Sequence, residues 1–204
     1  MVQLKIGIIM GSVREGRMNA RVADWVESEA KKKFGESALI EVIDLEDYNL
    51  SGIRQPIHFM ADSSLAPADL KKAEAKVKEL DCFIFVTPEY NLNIPPALKK
   101  FIDLLPPPIW WWKSAAIISY SMGRFGGNIV PHSLRQTFCE IGLIPVTKPM
   151  SIPFVHEEID ENGALVGQGA EGFQAEIEKT LDVFEFYATA IKEKRENGPV
   201  PKNM

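Results

Sequence analysis

Short apolar runs alternate with stripes of helical spacing along this chain. Leu4 to Met10 is an isoleucine-rich run that leads straight into Gly11 and Ser12. From Asn19, the residues Val22, Val26, Ala30 and Phe34 recur every four positions, which predicts a helix. Leu39 to Leu45 alternates as a second strand, and Leu70, Ala73, Val77 and Leu80 mark a second helix. Cys82 to Val86 is a third strand. Pro95-Pro96 then opens a helix with Leu98, Phe101, Ile102 and Leu105 facing inward, proline being well tolerated in a first turn. Ala115 to Ser119 predicts a fourth strand. A helix carrying Leu134, Phe138 and Ile141 follows and ends at Gly142, and a fifth strand begins over Leu143 to Val146. A long last helix carries Phe173, Ile177, Leu181, Phe184, Ala188 and Ile191.

Strand-helix alternation repeated in this way predicts a parallel sheet with helices on both faces. The strands are nearly continuous apolar runs, as burial of both faces requires. The irregular parts are Glu46 to Ala66, Pro106 to Ser114 and Ser151 to Ala170. The reading is one domain over residues 1–195 with a polar tail over 196–204. In open α/β sheets, ligands bind beyond the carboxyl ends of the strands, where the strand order reverses. The loops after strands one, three and four are therefore the ones to read for chemistry.

Composition narrows the function classes. The chain has 204 residues, 46% hydrophobic and 25% charged, with a net charge of -5. That balance suits one globular domain and argues against a nucleic-acid surface, which needs clustered lysine and arginine. Cys82 and Cys139 have no CxxC neighbour or metal-like spacing and are expected to be two buried thiols. His58, His132 and His156 show no ligand spacing, so no metal site is expected. The first residues, Met1 to Lys5, enter a strand without the apolar region of a signal peptide. No run approaches the ~18 apolar residues that span a bilayer. The expectation is a cytoplasmic protein without membrane attachment, in which the sequon Asn49-Leu50-Ser51 is a chance match.

The loop after strand one reads Gly11-Ser12-Val13-Arg14-Glu15-Gly16-Arg17-Met18-Asn19. A loop feeding a helix N-terminus offers free N–H groups and the positive end of the helix dipole, which suits a phosphate. Ser12 and Asn19 add neutral donors. Arg14 and Arg17 add charge-assisted ones worth roughly 1.5–3 kcal/mol each. Gly11 and Gly16 match the start of GxxxxGK[ST], but Arg17-Met18 replaces the lysine and hydroxyl that a nucleoside triphosphate needs. A GxGxxG fingerprint is absent, as is the cysteine nucleophile of a phosphatase loop.

After strand three stands Thr87-Pro88-Glu89-Tyr90-Asn91-Leu92-Asn93-Ile94-Pro95-Pro96-Ala97-Leu98-Lys99-Lys100-Phe101-Ile102-Asp103. Together, the GSxR loop and the TPEYN stretch leading into an LK-x-x-ID helix resemble the NADPH-dependent FMN reductase family, which includes quinone and azo-dye reductases. The resemblance runs from strand one through strand five. It implies a flavodoxin-like three-layer sandwich with a five-stranded parallel sheet in the order 2-1-3-4-5. It implies FMN as cofactor, with phosphate contacts at Gly11, Ser12, Arg14 and Asn19 and flavin contacts at Pro88, Glu89, Tyr90 and Asn91. Pro88 restricts Thr87 to an extended conformation, and Tyr90 offers an aromatic face worth roughly 0.5–1.5 kcal/mol against the ring. Glu89 is either a brace for its loop or a solvated carboxylate. Arg17 departs from the small hydroxyl residue of many members, and either serves the phosphate or turns toward a partner subunit.

Strand four leads into Ser119-Tyr120-Ser121-Met122-Gly123-Arg124-Phe125-Gly126-Gly127-Asn128. The family has a serine- and glycine-rich loop here, and this one reads as about two residues longer. Ser119, Ser121, Gly123, Arg124 and Gly126 are the candidate contacts, since backbone amides close to the ring stabilise negative charge in the reduced flavin. Arg124 pairs with reduced flavin or a 2′-phosphate of NADPH, or is solvated, and the last reading is preferred. In Pro106-Pro107-Pro108-Ile109-Trp110-Trp111-Trp112, three adjacent tryptophans cannot share one core. They form either a dimer interface or wall over the flavin, or a loop partly buried against its own domain.

The implied activity is a ping-pong oxidoreductase passing hydride from NADPH (or NADH) through FMN to a small-molecule electron acceptor such as a quinone, azo compound or free flavin. The implied assembly is a homodimer or homotetramer. No side-chain base is required, because the cofactor carries the chemistry. A flavin-binding redox sensor that docks a partner protein is the alternative, through the tail and tryptophans, and a one-electron flavodoxin carrier is the third reading.

Overall fold

The computed structural model describes residues 3–201, so Met1, Val2 and the last three residues of the expected tail lie outside the described residues. Six strands form one parallel sheet: β1 (Leu4–Met10), β2 (Ala38–Asp44), β3 (Cys82–Pro88), β4 (Lys113–Tyr120), β5 (Leu143–Pro145) and β6 (Met150–Ile152). The path is β2-β1-β3-β4-β5, with β6 also paired to β4. This is the flavodoxin-like order. One row differs from expectation, because the fifth strand is split into β5 and β6 on the same edge of β4. Val146, placed by its pattern in that strand, leaves it after one backbone bond to Ala115. Pro145 and Pro149 bracket the break, and proline cannot donate to a ladder.

The helices are α1 (Asn19–Phe34), α2 (Ala68–Glu79), α3 (Pro96–Leu104), α4 (Val130–Glu140), the short α5 (Val155–Glu158) and α6 (Ala170–Asn197). Alternate residues of the central strands point into two separate cores. Ile6, Ile8, Ile84 and Ile118 meet α1 and α6 through Val22, Val26, Ile177, Leu181 and Phe184. Ile9, Phe83, Phe85 and Ile117 meet α2, α3 and α4 through Leu70, Phe101, Leu134 and Phe138. At roughly 25 cal/mol per Å² of apolar area, these two buried layers dominate the stability.

Two expectations about buried residues change. Cys82 is buried, but Cys139 is exposed. Helix α4 packs through Val130, Leu134 and Phe138, and Cys139 lies one position, or about 100°, round from that stripe. Of the tryptophans, Trp110 is fully buried, with ring centroids 5.1 Å from Phe83 and 6.5 Å from Phe85 and Phe101. Trp112 adopts φ 57° and donates its indole N–H to the Pro201 carbonyl (3.1 Å). The segment precedes β4, so it lies at the amino end of the sheet, opposite the loops after the strands, and forms no wall over a ligand there. Helix α6 runs on through Asn197, into the segment expected as tail, and stops at Gly198-Pro199.

A charge network closes that amino end. The Asp81 carboxylate takes Lys192 at 2.5 Å, Arg195, and the Lys5 backbone N–H at 3.0 Å. The Lys113 ammonium donates to the Val77 and Lys78 carbonyls at the end of α2 (2.8 and 3.1 Å). Burial, then the charge of Arg195, push this ammonium down to about 7 against the pull of Asp81. Between pH 7 and 8.5 the unfolded chain therefore holds a proton on Lys113 that the folded chain releases, so stability rises with pH. Urea unfolding of the wild type should gain about 1 kcal/mol per pH unit over that window relative to Lys113→Met. Parallel pH profiles for the two proteins would refute it.

Candidate functional site

Strands β1, β3 and β4 end side by side, and the loops that follow them meet at the point where the strand order reverses. Gly11 makes the junction tight. Its N–H bonds to the Val86 carbonyl (2.8 Å), and a Cβ there would lie 2.6 Å from Thr87 Oγ1 and 2.8 Å from Thr87 Cβ. Gly11 therefore serves the closure of β1 against β3.

The first loop is held from behind by two donors on one acceptor. Asn19 Nδ2 and Arg17 Nη1 both donate to the Ser12 carbonyl, at 2.9 and 2.7 Å. In a planar trans peptide, fixing that carbonyl turns the Val13 N–H the opposite way. Asn19 is fully buried in this bracing position. Arg17 also pairs with both Asp44 oxygens and with Glu46 (2.7 Å) at the end of β2. Burial would lower its affinity for a proton, but Asp44 and then Glu46 outweigh that and raise it. Arg17 is thus engaged within its own domain.

Ser12 and Tyr90 join the first loop to the second. Their hydroxyls lie 2.6 Å apart, and the Arg14 guanidinium sits 3.8 Å above the Tyr90 ring centroid. Beyond Tyr90 the chain turns tightly, with Tyr90 and Asn93 exchanging two backbone hydrogen bonds (3.0 and 3.1 Å). Asn91 and Leu92 occupy the two left-handed positions, at φ 52° and 61°. Asparagine tolerates this conformation and leucine does not, yet Leu92 is held there with 65% of its surface exposed.

Glu89 braces a different element. Its carboxylate accepts the Ile129 and Val130 N–H groups (2.8 and 2.9 Å), sealing the start of α4. Helix α1 has no such seal. Met18 stands at its N-cap without a side-chain bond, and its first turn carries no acidic residue. An uncapped helix start leaves N–H donors and a positive dipole end facing the cleft.

The third loop is fastened mostly to itself. Ser119 is fully buried, its hydroxyl 2.8 Å from Ser151 Oγ and 3.3 Å from the Met150 carbonyl, so it pins β6 to β4. Ser121 donates to the Gly123 carbonyl (3.0 Å), which also accepts from Gly126 and Phe154. Gly126, at φ 61°, passes so close to Pro153 that a Cβ would lie 2.7 Å from its nitrogen. Arg124 is exposed and stacks on the Phe125 ring at 4.6 Å.

A cleft of about 210 Å³ lies among these loops. Ser12, Arg14, Gly16, Arg17 and Met18 line it from the first loop, and Pro88, Glu89 and Tyr90 from the second. Tyr120, Ser121, Met122 and Val155 complete it. Gly11, Asn19, Asn91, Ser119, Gly123, Arg124 and Gly126 are outside its wall. An enclosed drug-sized ligand needs roughly 300–1,000 Å³, so this cleft accommodates part of one and leaves the rest on the open rim. A larger hollow of about 400 Å³ opens past Val13, between Tyr48 and Lys100, away from the helix start. The sequence reading passed over Tyr120, whose hydroxyl is buried without a partner. Burial, then neighbouring Tyr90, hold that hydroxyl well above its ordinary pKa despite Arg17. Its place as the last residue of a buried strand was the available signal.

Fold and site together define a flavodoxin-like α/β domain with a cleft among the loops at its switch point. The sequence profile described as NADPH-dependent FMN reductase matches residues 4–157, and the chain belongs to that family. An NAD(P)H-dependent FMN reductase of Pseudomonas aeruginosa is 30% identical over 194 residues, covering 93% of this chain and 97% of that protein. A quinone reductase of Escherichia coli (strain K12) is 27% identical over 172 residues, covering 82% and 87%. In fold, the chain is similar to the flavoenzyme NAD(P)H:(acceptor) oxidoreductase FerB from Paracoccus denitrificans, with a TM-score of 0.71 and 19% identity over 90% of this chain and 98% of that one. The protein is an oxidoreductase of this family, with FMN as cofactor and NAD(P)H as electron donor.

Two stability effects follow from these loops. Glu89→Ala strips two N–H groups of their acceptor and should cost about 1–2 kcal/mol in chemical denaturation, with Glu89→Gln recovering part of it. Leu92→Gly should stabilise by about 0.5 kcal/mol. The relieved left-handed strain of roughly 1–2 kcal/mol outweighs the roughly 0.5–1 kcal/mol of added chain entropy. A loss of stability in Leu92→Gly would show that the exposed leucine side chain makes a compensating contact.

Proposed function

We propose that this protein holds FMN with its phosphate at the start of α1 and catalyses ping-pong electron transfer from NADPH to a small acceptor such as a quinone, azo compound or free flavin. The observation that carries the placement is the contrast between two helix starts. Helix α4 is closed by Glu89, whereas α1 has neither cap nor first-turn acid and faces the cleft beside Arg14.

The donor set suits this group. A phosphate is an acceptor only, and the cleft offers it helix N–H groups, the Arg14 guanidinium and the hydroxyls of Ser12 and Tyr120. When bound, FMN supplies the capacity to take two electrons from a nicotinamide and release them to a second substrate. The protein's part is to bind and orient. Arg17 and Asn19 hold the first loop in shape, Ser12 and Tyr90 lock it to the second, and Pro88 and Tyr90 offer a flat surface at the rim. Asn91, Ser119, Gly123, Arg124 and Gly126 act on the site through the shape of their loops. No residue of the cleft is required as a proton-transferring base.

A homodimer or homotetramer in the cytoplasm, built from a single domain over 1–195, completes the reading. Among the described residues, no helix is long and apolar enough to cross a membrane. Of the tryptophans that the redox-sensor alternative invokes, Trp110 is part of the core, whereas Trp111 and Trp112 are half-buried.

Anaerobic titration of FMN-loaded protein with NADPH tests the activity. The expected result is bleaching of the flavin absorbance by one equivalent, reversal on adding a quinone, and parallel double-reciprocal plots in steady state. No flavin binding, or bleaching that quinone does not reverse, would sink the reading. Arg14→Ala should weaken FMN about 10- to 100-fold by fluorescence titration, the loss of one charge-assisted bond.

A further inference from the structure

Tyr120 is the last residue of β4, and its ring is packed in the core with Met10, Val22, Val86, Ile118 and Val155. The residue is 3% exposed, and its hydroxyl has no hydrogen-bond partner. A buried hydroxyl left unpaired costs about 1–3 kcal/mol, and native structures satisfy nearly all such groups. This one also lines the cofactor cleft. A partner brought by the ligand accounts for both facts.

We propose that the Tyr120 hydroxyl donates a hydrogen bond to the phosphate of the bound flavin nucleotide; this rests on the placement of FMN given above. Tyr120 lines the cleft together with Ser12, Arg14, Arg17 and Tyr90, and Tyr90 and Arg17 are the groups whose charges act on its hydroxyl. Tyr90, one neighbour, already has its hydroxyl paired with Ser12 at 2.6 Å. Arg17, the other, is committed to the Ser12 carbonyl, Asp44 and Glu46. Neither bonds to the Tyr120 hydroxyl, which is left without a partner among the described residues, and a phosphate at the open start of α1 is an acceptor. Burial keeps the hydroxyl protonated through the ordinary pH range, so it is a donor whenever an anion arrives. The first loop by itself is thus an incomplete cradle, and strand β4 contributes its remaining donor.

The test separates phosphate from the rest of the flavin. Wild type and Tyr120→Phe, freed of flavin, are titrated with FMN and with riboflavin by fluorescence quenching, and the melting temperatures of the unliganded proteins are compared. Loss of a bond to a charged acceptor should weaken FMN about 10- to 100-fold in Tyr120→Phe. Riboflavin, which lacks the phosphate, should change less than about twofold. The unliganded variant should melt no lower than wild type, because the hydroxyl has no partner to lose. A melting temperature that falls, a weakening shared by riboflavin, or an unchanged FMN affinity each overturns the assignment while wild-type FMN binding stands. Failure of the wild type to bind either flavin overturns the functional reading as well.

Discussion

The first N–H groups of a helix have no partners inside it, and something must accept from them. At the carboxyl edge of this sheet, α1 and α4 both begin beside the cleft, and they meet the requirement in opposite ways. Glu89, carried by the loop after β3, reaches across to the start of α4 and closes it. Helix α1 has Met18 at its N-cap, which makes no side-chain hydrogen bond, and no acid in its first turn. Of these two helix starts, α1 is the one whose first N–H groups are left open on the cleft.

The two ends of the sheet treat charge differently. At the amino end, Asp81 gathers Lys192, Arg195 and the Lys5 amide, while Lys113 caps α2, so charges and carbonyls answer one another inside the protein. Such partly buried pairs contribute modestly to stability, but leaving one member alone is costly. They hold α6 and α2 against the strands. At the carboxyl end, Arg17 is neutralised by Asp44 and Glu46, yet Arg14 is left stacked on Tyr90 with no carboxylate. Of two arginines three residues apart, one is tied into its own loop and the other is left lining the cleft.

Much of the architecture was legible in the pattern of apolar positions. Strands such as Leu4 to Met10 and Cys82 to Val86 are buried on both faces, so their hydrophobicity is continuous. Helices α1, α4 and α6 bury one stripe each, so their spacing shows. The split of the fifth row was less legible, because it depends on two prolines interrupting a ladder whose partner strand is distant in sequence. Cys139 was misplaced for a related reason: one position along a helix separates the buried stripe from solvent. Of the residues that the motifs singled out, Ser12, Arg14, Arg17, Pro88, Glu89, Tyr90 and Ser121 line the cleft.

By itself, the sequence determined the class of fold, the three loops that meet at the switch point, and the family, because those depend on local periodicity and on runs of adjacent residues. The division of labour among the site residues was decided only by the tertiary structure. Arg17 bears on Asp44 and Glu46, Asn19 on Ser12, Glu89 on the start of α4, and Ser119 on β6. The orphaned hydroxyl of Tyr120 and the burial of Trp110 among phenylalanines are equally long-range. A side chain within reach of several acceptors takes the one that burial and geometry make strongest, and that competition is settled by which elements the fold brings together.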